Sequence, residues 1–128
     1  MNALEFRFAF YARDFEKSVL FYRDMLGMEY IGGWDRADGK GALLSAGGTA
    51  VVEIYGAADG KRYDGPGPVA LNLAIRLENV SVVDRFFEKL SGMGGERIES
   101  PKDHPWGHRS FVVHDPDHIP IHIFCNLM

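Results

Sequence analysis

A chain of 128 residues, 46% hydrophobic and 25% charged, is sized for one globular domain with a buried core. Its formal net charge of −4, without any basic cluster, argues against nucleic acid or an anionic membrane as partner. The lone Cys125 can form no internal disulfide, Met1 to Tyr11 lack the continuous apolar stretch of a secretory signal, and no run approaches the ~20 apolar residues that span a bilayer, so a reducing, cytoplasmic setting is expected.

Leu4 to Phe10 alternate strictly, with Leu4, Phe6, Phe8 and Phe10 on one face and Glu5, Arg7 and Ala9 on the other, which predicts a strand. Asp14 reads as a helix N-cap. Val19, Tyr22 and Leu26, widened by Phe21 and Met25, form a helical stripe, and Gly27 is placed to end it in a left-handed cap. Short strand-like runs follow near Glu29–Trp34, Ala42–Ser45 and Thr49–Tyr55, with turns expected at Gly32-Gly33, Asp38-Gly39 and Gly47-Gly48. The segment 57–68, rich in Gly, Pro, Asp and Lys, reads as a linker.

The pattern then returns. Leu71, Leu73 and Ile75 alternate with Asn72, Ala74 and Arg76. Asn79 takes the capping position, Val83, Phe86, Phe87 and Leu90 make the stripe, and Gly92 should close it. A shift of 65 positions brings Asp14 onto Asn79, Phe21 onto Phe86, Tyr22 onto Phe87, Gly27 onto Gly92 and Met28 onto Met93 without a gap. This is an internal duplication. Later runs near Glu96–Glu99, Arg109–His114 and Ile119–Phe124 complete a second βαβββ unit. The expectation is one domain over 1–128, with modules at about 1–56 and 69–128.

Three stretches carry a family resemblance: Asp14–Ser18 with Phe21–Gly27, the strand Val51–Tyr55, and Trp106–Phe111 with Asp115-Pro116-Asp117. Together they resemble the vicinal-oxygen-chelate superfamily of glyoxalase I, extradiol dioxygenases and bleomycin-binding proteins. The resemblance implies an α+β fold, with two βαβββ modules whose mixed sheet curls around a pocket and whose helices cover the outer face. Phe6, Phe8, Phe10, Leu71, Leu73 and Ile75 should then lie under the helices, while Arg7, Ala9, Tyr11, Asn72, Ala74 and Arg76 line the pocket.

Metal-dependent members of that family place four ligands, usually His and Glu, at positions that map to Arg7, Glu53, Asn72 and His122. Only Glu53 is the family residue. His122 is a competent ligand type, an Asn72 amide oxygen is a weak one, and Arg7 has no lone pair to give. Catalytic cations usually keep three protein ligands, so no resident cofactor is favoured, and a divalent metal on Glu53 and His122 is the alternative. Arg7 can replace the cation by pairing with Glu53 through a two-point fork.

Among the remaining residues, the His104–His108 spacing is broken by Pro105 and Gly107 and reads as a loop, in which Trp106 could stack on a flat ligand. Arg109 either contacts ligand or braces that loop. The turn at Asp115-Pro116-Asp117 carries His118 and Ile119 where the family has Gly-Asn, so its geometry could differ. Three functions compete. The first is a metal-independent binder that sequesters a drug or metabolite. The second is a metal-dependent lyase, isomerase or dioxygenase. The third is a metal-free enzyme with Glu53 or His122 as general base. The expected ligand contacts are Arg7, Tyr11, Glu53, Tyr55, Asn72, Trp106, Arg109, His122 and Phe124, with a small organic ligand and a homodimeric partner.

Overall fold

The computed structural model describes residues 1–67 and 70–127. The chain divides into two compact units, Met1–Val69 and Ala70–Met128. The segment 57–67 groups with the first. The expected second module opens at Val69 and closes at Met128, both outside the described residues.

In the first unit, β1 (Phe6–Tyr11) leads into α1 (Phe15–Leu20), then β2 (Glu29–Arg36), β3 (Gly39–Gly47) and β4 (Ala50–Gly56). The sheet order is β1-β4-β3-β2, with β1 and β4 parallel and the other pairs antiparallel. The Asp14 carboxylate accepts from Lys17 N at 3.1 Å, as an N-cap should. The helix runs on as a π-turn over Phe21–Met25 and stops at Gly27, whose φ of +78° is the left-handed cap expected of it. Its inward side packs against β4. Ala42, Leu44, Val52, Ile54 and Tyr22 are buried there.

The second unit repeats the order: β5 (Leu73–Arg76), α2 (Val80–Gly92), β6 (Lys102–His104), β7 (His108–His114) and β8 (Pro120–Asn126), arranged β5-β8-β7-β6. Asn79 Oδ1 caps α2 by accepting from Val82 N at 3.0 Å. Val83, Leu90, Phe111, Val113, Ile121, Ile123 and Cys125 form its core. Two four-stranded mixed sheets, each covered by one helix and neither closed into a barrel, make this an α+β fold of two βαβββ units.

Several local expectations need correction. Gly32-Gly33 is no turn but lies inside β2 at a bulge, where glycine admits a neighbouring side chain: a Cβ on Gly33 would stand 2.0 Å from the Tyr30 hydroxyl. Gly92 is the last residue of α2, as expected, but it does not take the left-handed conformation. The chain continues to Gly94, whose φ of +77° closes the helix while Gly95 N donates to the Leu90 carbonyl. Glu96–Glu99 is not a strand, because Glu96 makes only an isolated bridge to His114 and the strand forms at Lys102–His104. Phe6 is 72% exposed and Leu71 45% exposed, so the openings of β1 and β5 are not under the helices. The reason is coverage, since α1 packs against β4, and α2 against β7 and β8.

Candidate functional site

Each sheet has a second face, turned away from its helix. In the first unit the parallel register sets Arg7 beside Val51, Ala9 beside Glu53 and Tyr11 beside Tyr55. The antiparallel register adds Leu43 beside Glu53 and Gly41 beside Tyr55. Side chains alternate across a strand, so Arg7, Tyr11, Glu53 and Tyr55 share this open face.

Glu53 is its electrostatic centre. Its Oε1 accepts from Arg7 Nη1 at 3.3 Å, with the glutamate side chain 13% exposed and the arginine 41%. Arg7 Nε is engaged separately by Glu5, so the guanidinium bridges two carboxylates and makes a single contact to Glu53 in place of a fork. Both partners raise the Arg7 pKa, Glu5 more than Glu53. The Tyr55 phenol is pushed above its usual range, chiefly by burial and then by its hydrogen bond to Glu53.

Next to this polar pair runs a row of rings. Tyr11 lies 4.9 Å from Tyr55 and, in a nearly parallel stack at 16°, 4.9 Å from Tyr63. Trp34 extends the row at 6.1 Å from Tyr55. Neither Trp34 nor Tyr63 figures among the expected ligand contacts. Trp34 faces Gly41, a large ring opposite a residue with no side chain, because the turn lies at Ala37-Asp38, one residue before the expected Asp38-Gly39; counted from the expected turn, Gly41 falls opposite Arg36, and the offset hid the pairing. Tyr63 had no signal to find, because the linker has no period. Its hydroxyl donates to the Pro66 carbonyl at 2.6 Å, which folds the linker back on itself.

In the second unit His122 and Phe124 lie on the open face of β8, with Ala74 and Val112 beside His122 and Arg76 and Ser110 beside Phe124. Asn72 precedes β5 and is exposed. The expected loop at His104–His108 is a hairpin. His104 pairs with His108, and Gly107 turns the chain with φ of +93°. His104 Nε2 lies 2.9 Å from Ser110 Oγ, and its ring stacks on Trp106 at 4.4 Å, while His108 lies 4.6 Å from Phe124. Arg109 points to the other side. Its Nε donates to Asp84 of α2 at 2.8 Å and its Nη1 to Asp103 at 2.9 Å, which raises its pKa and ties hairpin to helix.

Among the described residues no group of three or more His, Cys, Asp or Glu side chains is arranged to hold a metal ion. No helix among them is long and apolar enough to cross a membrane.

The sequence profile of the Glyoxalase/Bleomycin resistance protein/Dioxygenase superfamily matches residues 6–123. The chain belongs to this superfamily. Solved structures agree on the fold of this glyoxalase-superfamily protein. An antibiotic binding protein, TnmS3 from Streptomyces sp. CB03234, is 21% identical with a TM-score of 0.75, covering 98% of this chain and 97% of that one. A lactoylglutathione lyase from Agrobacterium tumefaciens is 20% identical with a TM-score of 0.72, covering 98% and 94%. A glyoxalase/bleomycin resistance protein/dioxygenase from Nocardioides is 21% identical with a TM-score of 0.74, covering 99% and 85%. No curated protein sequence matches the chain.

Proposed function

We propose that this glyoxalase-superfamily protein is a metal-independent binder that captures a small organic ligand, a drug or metabolite, on the open face of its first unit. The observation that carries the reading is the Arg7–Glu53 pair at 3.3 Å. Glu53 is the one residue matching the family's ligand set, and its carboxylate already meets a fixed cation. A guanidinium has no lone pair, so the residues at this face do not fit a catalytic cation. Tyr11, Tyr55 and Trp34 supply stacking surface next to a few polar groups, the usual composition of a small-molecule site. That a Streptomyces protein of the same fold binds an antibiotic supports ligand capture as a use of this architecture.

Binding on this face uses three elements. The rings take the flat apolar body of the ligand. The outer oxygen of Glu53 and the Tyr55 hydroxyl accept or donate to its polar groups, and Arg7 holds Glu53 in its rotamer. A homodimer in the cytoplasm completes the proposal, and sedimentation as a monomer at micromolar concentration would remove the dimer.

The test is elemental analysis of untagged protein, followed by calorimetric titration with nickel, cobalt, zinc and iron(II). The expected result is no bound metal and no tight binding, after which thermal-shift screening should find ligands that raise the melting temperature. Near-stoichiometric metal that is lost in Glu53→Gln or His122→Ala would overturn the reading in favour of a metal-dependent enzyme. Once a ligand is found, Glu53→Gln separates capture from general-base catalysis. A binder in which Glu53 chiefly pairs with Arg7 keeps much of its affinity, because glutamine retains an accepting oxygen, whereas an enzyme loses turnover with little change in affinity.

A further inference from the structure

The helix-covered side of the first unit holds a cleft of about 550 Å3, set between α1 and the edge strand β2. This is separate from the open face. Its floor includes Gly33, which pairs with the buried Ala42 on the helix side of the sheet. The volume falls within the roughly 300–1,000 Å3 of small-molecule sites. Phe15, Val19 and Leu20 form the helix wall and Tyr30 the strand wall, with Trp34 also bordering the cleft while its ring lies on the Tyr55 side. Leu20 and Tyr30 are each 48% exposed, so the apolar lining is open to solvent.

Two glycines make room for these rings. A Cβ on Gly33 would stand 2.0 Å from the Tyr30 hydroxyl, and one on Gly41 would stand 2.1 Å from the Trp34 ring. The Tyr30 ring lies over Gly33 on the helix side, whereas Trp34 pairs with Gly41 and lies on the Tyr55 side of the sheet, with the Arg36 guanidinium 5.6 Å from its ring. The face of Tyr30 is electron-rich and attracts cations.

The charges around the cleft decide the sign of its occupant. Its two bases are committed: Lys40 Nζ lies 3.2 Å from Glu16 and 2.6 Å from Asp59, and Arg23 Nε lies 2.8 Å from Asp24. The two carboxylates on Lys40 push its pKa up to about 12, so it stays charged and held at any working pH. Asp35 lines the same cleft, is exposed, and among the described residues makes no ion pair. Two carboxylates, Glu16 and Asp35, and two cations, Arg23 and Lys40, line the cleft; both cations and Glu16 are paired, so the one uncommitted charge of the lining is the negative Asp35.

We propose that this cleft is a second binding site, which takes a small organic monocation with an aromatic body: the ring enters between Phe15, Leu20 and Tyr30, and the ammonium sits at Asp35. An anionic head is disfavoured by the same carboxylates. The proposal rests on Phe15, Leu20, Tyr30 and Asp35, none of which belongs to the open-face site; Trp34, which borders Tyr55 of that face, serves only as reporter, and Glu53→Gln tells the two sites apart.

The probe is benzyltrimethylammonium, with phenylmethanesulfonate as the anionic counterpart. Only two tryptophans are present, so their indole N–H signals can be assigned with Trp106→Phe and followed by NMR. The expected result is a saturable shift of the Trp34 signal with the cation, no shift with the sulfonate, and an unmoved Trp106. Asp35→Asn should weaken binding about two- to five-fold, the size of an exposed ion pair, and added salt should weaken it similarly. Leu20→Lys, at a half-exposed site that tolerates charge, should weaken it about ten-fold by placing a like charge in the wall. Glu53→Gln should leave it unchanged. Equal affinity in wild type, Asp35→Asn and Leu20→Lys would overturn the site, as would loss in Glu53→Gln, which would place the probe on the open face. A Trp34 signal that moves with protein concentration and ignores the probe would assign the cleft to a second copy of the chain and equally overturn the proposal.

Discussion

Glu53 and His122 occupy the same station in their respective sheets: Glu53 lies between Ala9 and Leu43, and His122 lies between Ala74 and Val112. The two alanines are 65 positions apart, but Glu53 and His122 are 69 apart, so the repeat runs in register through its first strand and slips by four residues before its last. What the stations hold also differs. Glu53 has a guanidinium against it, and its phenol neighbour two residues on, Tyr55, feels its charge.

That charge gives the first prediction. An adjacent carboxylate opposes phenolate formation, and burial opposes it further, so Tyr55 titrates above the ordinary phenol value of 10.0. In Glu53→Gln the Tyr55 phenol should ionise at lower pH than in wild type while staying above an exposed tyrosine. Tyrosinate absorbance, with Tyr55→Phe as the subtraction, isolates the signal. The linkage sign follows: a phenol raised on folding contributes stability that is fully present below pH 10 and lost as pH rises through the folded value. Identical titration curves for wild type and Glu53→Gln would mean that the carboxylate does not act on the phenol.

The two N-caps offer a matched pair. Asp14 accepts from Lys17 N at 3.1 Å and Asn79 from Val82 N at 3.0 Å, each satisfying a donor that has no partner within its helix. Asp14→Ala and Asn79→Ala should each cost about 1 kcal/mol in urea denaturation, with serine recovering most of it. A cap whose alanine variant matches wild type would show that its helix start is held by tertiary packing instead.

These caps also mark what could be read from the sequence. The repeat, both caps, the helical stripes and the closing strands follow from 3.6- and 2-residue periods and from Gly27. Periodicity failed where glycine broke it. Gly32-Gly33 looks like a turn until Tyr30 is seen lying over it, and Gly92 resembles Gly27 by position although Gly94 takes the left-handed conformation. Of the site, the Arg7–Glu53 contact followed from placing both on one face, but the second contact, from Glu5 to Arg7, did not. Arg109 was ambiguous because its partner Asp84 is 25 residues away on α2, a separation no local pattern reports.

The turn after β7 is closed by the Asp115 carboxylate. Asp115 is fully buried, and its Oδ1 accepts from Asp117 N and Ile119 N, both at 2.8 Å. The chain between them closes only because His118 takes φ of +66°, a left-handed conformation in which its Cβ crowds the carbonyl. His118→Gly should therefore raise stability by up to about 1 kcal/mol, part of the relief being offset by the freer unfolded chain. Asp115→Ala, which removes the acceptor of a buried N–H at Ile119 and a part-buried one at Asp117, should cost about 2 to 3 kcal/mol. Thermal melts of the two variants should move in opposite directions, and a destabilised His118→Gly would show that the imidazole contributes more than its backbone costs.

His114 sets an acid limit on the second unit. Its pKa lies below the ordinary 6.5, first because it is buried, then because of the charge of Arg97, while a hydrogen bond to the Arg97 backbone opposes the shift. Nδ1 is buried, and among the described residues it has no partner, so a second proton would enter a site that cannot satisfy it. The folded chain holds His114 neutral at a pH where the unfolded chain protonates it. In that window the unfolded state binds more protons, so stability is full above pH 6.5 and falls as pH drops toward the lower folded value. His114→Gln cannot take up the proton. Between pH 7.5 and 5.5 the wild-type melting temperature should fall more than that of His114→Gln. His118 and His122 add like charge nearby in both proteins, so the difference between the two curves belongs to position 114. Parallel curves would mean that the acid sensitivity arises elsewhere.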